Sequence, residues 1–115
     1  MNDYAAMDPG LGAAHVDVAT FRTQCDTTFF VIHDGDQVPL LLAEVADGPA
    51  GGGIERFSLF FHGPADRVLK QGTYEFEHDA LGSLTLFIVP ILGSTAERIV
   101  YEASFVRSAP QVPPR

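Results

Sequence analysis

From Thr27 onward the chain alternates, and that period of two constrains the fold more than any other feature. Thr-Thr-Phe-Phe-Val-Ile-His (27–33) is dense in β-branched and aromatic residues, which suit a pleated surface. Asp34-Gly35-Asp36 reads as a turn, and Val38 to Val45 returns as the partner strand of a hairpin. Pro39 lacks an amide donor and is expected at a strand's start or on an edge. In Ile54–His62, Phe57, Leu59 and Phe61 share one face, with Ser58, Phe60 and His62 on the other. Thr73–His78 sends Tyr74, Phe76 and His78 one way and Thr73, Glu75 and Glu77 the other. Ser83–Pro90 is apolar on both faces, so it is expected to be central or covered by a second layer. Arg98–Arg107 closes the pattern with Ile99, Tyr101, Ala103 and Phe105 toward the core.

Gly- and Asp-bearing turns separate these runs, and no helical period is long enough for a parallel crossover. The fold class expected is all-β, a small antiparallel barrel or sandwich of about five to seven short strands. At most one short helical turn is expected near the N-terminus, where Asp17 can cap Val18–Phe21. Residues 1–14 read as a flexible arm, 15–107 as a single β domain and 108–115 as a Pro-rich extended tail. Asp47–Gly53, with three consecutive glycines, reads as a mobile surface loop.

Composition excludes several function classes. The 115 residues suit one domain, and 46% hydrophobic content is enough for a core without a staple. The formal charge is −8 and the few cations are scattered, which disfavours nucleic acid and anionic membrane as partners. A single cysteine, Cys25, allows no intramolecular disulfide. There is no apolar run long enough to span a bilayer and no signal-peptide pattern, so a soluble, cytoplasmic protein is expected.

Motifs with chemical meaning are sparse. Gly10-Leu11-Gly12-Ala13-Ala14-His15 lacks the preceding strand that a dinucleotide-binding turn requires. The four histidines, His15, His33, His62 and His78, show no metal-ligand spacing, and no cofactor or metal is expected. His62 and His78 could meet across neighbouring strands. Cys25 sits beside the Asp26 carboxylate, a poor setting for a thiolate nucleophile. Glu75 and Glu77 fit a solvated sheet face better than a catalytic pair. Glu44 is expected on the face of Leu40 and Leu42, and Glu102 lies amid the closing apolar strand. A buried acid there would need a cation such as Arg56, Arg67 or Arg107. The candidate binding residues are therefore His62, His78, Glu44, Glu102 and Arg107.

One resemblance is carried by Phe61-His62-Gly63-Pro64-Ala65-Asp66, Gln71-Gly72-Thr73-Tyr74, Glu77-His78-Asp79-Ala80-Leu81-Gly82, Leu86-Phe87-Ile88-Val89-Pro90 and Tyr101-Glu102-Ala103 with Phe105 and Arg107. Together these stretches resemble a bacterial family of small domains of unknown function, from about Thr20 to Arg107. Cys25 departs from that family's pattern, which more often has glycine before the first strand. The resemblance implies common fold and assigns no catalytic residue; some members are associated with phage-tail-like genes. On the residues' own terms, Phe61, Tyr74, Phe87 and Phe105 are expected to pack one core, and His78 and Glu102 to position turns or satisfy buried backbone groups. The function expected is a non-enzymatic binding or assembly module, an accessory of a phage-tail-like or other multiprotein assembly, with a protein partner or self-association. The alternative is a small-molecule carrier with its ligand at the barrel mouth.

Overall fold

The computed structural model describes residues 16–49, 51–91 and 94–108. The arm expected over 1–14 lies outside the described residues, as does the tail expected over 108–115 apart from Ser108, which ends the last strand. A short helix, α1 (Val18–Thr23), precedes six strands: β1 (Thr28–His33), β2 (Asp36–Asp47), β3 (Ile54–Pro64), β4 (Gly72–His78), β5 (Gly82–Ile91) and β6 (Arg98–Ser108). All neighbours are antiparallel, and the ring closes in the order β1-β2-β3-β6-β5-β4. Two meanders are thus joined along β3–β6 and β1–β4.

The local chemistry accounts for the elements. Asp17 caps α1, its Oδ1 accepting from the Thr20 amide at 2.8 Å. Asp34 and Gly35 both take positive φ, 53° and 80°, the geometry that matches the twist of a tight hairpin. The left-handed residue before β1 is Asp26 (φ 68°), one place after Cys25. Each strand proline sits where one flank has run out of partner. Pro39 pairs with β1 before β2 meets β3, Pro64 with β6 after β3 leaves β2, and Pro90 with β6 after β5 leaves β4.

Alternation drives the inner face. Phe29, Val31, Leu40, Leu42, Leu59, Phe61, Phe76 and Tyr101 are fully buried. Phe29 meets Phe61 edge-on at 5.3 Å between centroids, and Phe61 lies 5.5 Å from Phe76. The two barrel ends are closed differently. At the helix end, Phe21 of α1 packs against Phe57 and Phe105. At the other end the β3–β4 connection inserts Leu69, whose amide donates to the buried Tyr101 hydroxyl at 2.8 Å. The Tyr101 ring crosses Gly63 so closely that an added Cβ would lie 3.1 Å from it and 2.5 Å from Leu40.

Two expectations for β5 need correction. Leu84, Leu86 and Ile88 are buried, but Phe87 is 52% exposed and does not join Phe61, Tyr74 and Phe105 in the core. A barrel wall has a single interior, so the second apolar face of β5 turns outward, with no second layer among the described residues. No described helix is long and apolar enough to cross a membrane.

Candidate functional site

The outer surface of β2, β3 and β6 gathers three of the five candidate residues. Glu44 on β2 pairs with Phe60 on β3, and Phe60 pairs with Glu102 on β6. One row toward the Leu69 end, Leu41, His62 and Val100 stand in line; one row toward the helix end come Ala46, Ser58 and Ser104. A shallow groove of about 210 Å³ follows this face toward the helix end, lined in part by Arg56, Ser58, Phe60, Ser104 and Val106.

Glu44 does not share the face of Leu40 and Leu42. The β2–β3 register shifts between Leu42 and Glu44, and this bulge moves Glu44 outside while Val45 packs against the core. Glu102 is half-buried and outward, and it takes hydroxyls instead of a cation. Its Oε2 accepts from Ser58 at 2.7 Å and from Ser104 at 3.0 Å. His62 is half-buried among apolar neighbours. Desolvation, and secondarily the Arg98 charge, holds its imidazole below the ordinary histidine value.

His78 lies elsewhere and does not meet His62, because β3 and β4 are not neighbours in the ring. It is buried, with its ring 4.1 Å from that of Phe29. Its Nδ1 accepts from the amides of Ala80 at 3.0 Å and Leu81 at 3.2 Å. The proton therefore belongs on Nε2, which donates to Thr27 Oγ1 at 2.8 Å, and Thr27 donates onward to the Gln24 carbonyl at 2.6 Å. Both ring nitrogens are engaged: His78 ties the β4–β5 turn to the α1–β1 connection, the turn-positioning work expected of it. Burial lowers its pKa, partly opposed by the Asp79 charge.

Arg107 is a clamp at the helix end. Its guanidinium bonds Glu55 Oε2 at 2.9 and 3.0 Å and the Val16 carbonyl at 2.6 Å. It also covers the rings of Phe57 and Phe105, centroids 5.0 and 5.3 Å away. Arg67 pairs with Asp36 at 3.4 Å, so neither cation serves Glu44 or Glu102. Among the described residues no three His, Cys, Asp or Glu side chains gather closely enough to hold a metal ion.

Sequence reasoning missed one feature, the seam between β5 and β6. Among the described residues these strands pair only at Val89↔Glu102, Pro90↔Tyr101 and Ile91↔Val100, and the ladder does not continue toward the helix end. Phe87 and Val106, 52% and 62% exposed, flank the unpaired stretch. The signal available in the sequence is the double apolar face of β5, expected of a central or covered strand.

The domain-of-unknown-function model DUF6916 matches residues 16–105, the helix and nearly the whole barrel. The chain belongs to the DUF6916 family. No curated protein and no solved structure matches it. The DUF6916 match spans the stretches that carried the resemblance except Arg107, and includes the Gly63-Pro64 approach to Tyr101 and the His78 turn.

Proposed function

We propose that this DUF6916 domain is a non-enzymatic protein-binding module that docks onto a larger assembly, a phage-tail-like particle being one such setting. The observation that carries this reading is the apolar outer wall, exposed among the described residues. Val106, 62% exposed, lines the groove with Phe60, and Leu41 and Phe87, 37% and 52% exposed, stand on the same outer wall, as do the acids Glu44 and Glu102. Exposed apolar side chains grouped with a polar rim are a mark of interaction surfaces. The barrel interior holds Phe29, Phe61, Phe76 and Tyr101, all fully buried, which supports a partner outside the wall over a small ligand within it.

Light scattering over a concentration series, with affinity purification from the source cell, tests the reading. The wild type is expected to self-associate or retain a partner, and Phe60→Lys to lose that association at unchanged thermal stability. A strictly monomeric wild type that retains nothing would contradict it.

A further inference from the structure

We propose that the open seam between β5 and β6 is a strand-addition site for an extended segment of a partner protein carrying alternating apolar and basic residues. The proposal rests on the reading of the domain as a protein-binding module and names where and how the partner binds.

Backbone polarity makes the seam a template. The Val100 amide donates to Ser94 Oγ on the β5–β6 connection, so it points away from β3 and toward β5. Pro90, which has no N–H, stands opposite Tyr101, the pairing position that asks for no donor. Alternation then directs the polar groups of Glu102, Ser104 and Val106 at the β5 side, and those of Thr85 and Phe87 at the β6 side. The ladder uses Glu102 and stops; continued, it would set Phe87 opposite Ser104 and Thr85 opposite Val106, and no such pairs form. Among the described residues, two strand edges in an otherwise closed barrel therefore face each other unpaired, the arrangement that an incoming strand completes.

Side chains and charge select the occupant. The outward-facing alternate residues of an added strand are the basic ones, their alkyl stems beside exposed Phe87 and Val106, while the apolar alternates turn toward the interior with Leu84 and Leu86. Glu75 and Glu77 project outward from β4 on one side of the seam, and Glu102 from β6 on the other. Arg56, paired with Val106, is the cation on β3 behind β6. The chain's formal charge of −8 opposes a second copy and favours a basic segment.

The test uses the whole chain and three synthetic peptides: alternating Lys and Val, alternating Glu and Val, and the Lys–Val peptide N-methylated at alternate residues. The Lys–Val peptide is expected to bind, and the other two at least about tenfold more weakly. Phe87→Lys with Val106→Lys, both on the exposed wall, should weaken the Lys–Val peptide by a similar factor. Equal binding of the N-methylated peptide, unchanged binding by the double variant, or no binding by any peptide would overturn the proposal. If no peptide binds while Phe60→Lys still loses the wild type's partner, the seam assignment fails and the binding-module reading stands.

Discussion

β6 has two flanks, and they are built differently. Toward β3 it is paired along its whole length, from Arg98↔Pro64 to Ser108↔Ile54. Toward β5 it is paired, among the described residues, only from Val100 to Glu102. The β3 flank carries much of the packing: Phe57 and Phe105 stack at 4.5 Å, Tyr101 crosses Gly63, and Arg107 clamps Glu55. The β5 flank borders exposed Phe87 and Val106. One flank holds the barrel together, and the other leaves hydrogen-bonding edges and apolar surface open. At the helix end the fully buried Phe21 packs against Phe57 and Phe105, so the core there is filled beside the unpaired edges.

Substitutions on the two flanks should therefore separate in magnitude. Phe61→Ala, which removes a fully buried ring on β3, is expected to cost about 3–5 kcal/mol in chemical unfolding. Arg107→Ala should cost about 2–3 kcal/mol, because Glu55, with a side chain only 14% exposed, would lose its partner. Gly63→Ala should cost about 1–3 kcal/mol by forcing Leu40 and Tyr101 apart. On the seam, Phe87→Ser and Val106→Ser should each stay within about 0.5 kcal/mol. A loss as large as that of Phe61→Ala at Phe87 would break the comparison.

A pH dependence sharpens it further. His78 can accept a proton on Nδ1 only by giving up the amides of Ala80 and Leu81. Its folded pKa is depressed, chiefly by desolvation, so the unfolded chain binds the proton first. Its contribution is complete above the ordinary value of 6.5 and is lost as pH falls below that toward the folded value. His62 shifts in the same direction, through desolvation and then Arg98. The urea midpoint is expected to drop between pH 8 and 5, and less steeply in His78→Asn.

Much of the barrel could be read from the residues. The Asp34-Gly35 hairpin, the Asp17 cap, the inner faces of β3, β4 and β6, and the turn-holding use of His78 all follow from local pattern and chemistry. What stayed hidden was non-local. The bulge that exports Glu44 depends on how β2 meets β3, and the pairing of β6 with β3 joins residues far apart in the chain. The Ser58 and Ser104 hydroxyls that hold Glu102 become neighbours only through that pairing. Phe87 looked like core because alternation reports that a face is apolar and not whether anything covers it.

Residue-resolved amide hydrogen exchange on the free protein tests the difference between the two flanks most directly. The account predicts strong protection at Phe105, whose amide faces β3, and rapid exchange at its neighbours Ser104 and Val106, which face the seam. Protection of Ser104 and Val106 equal to that of Phe105 would contradict it.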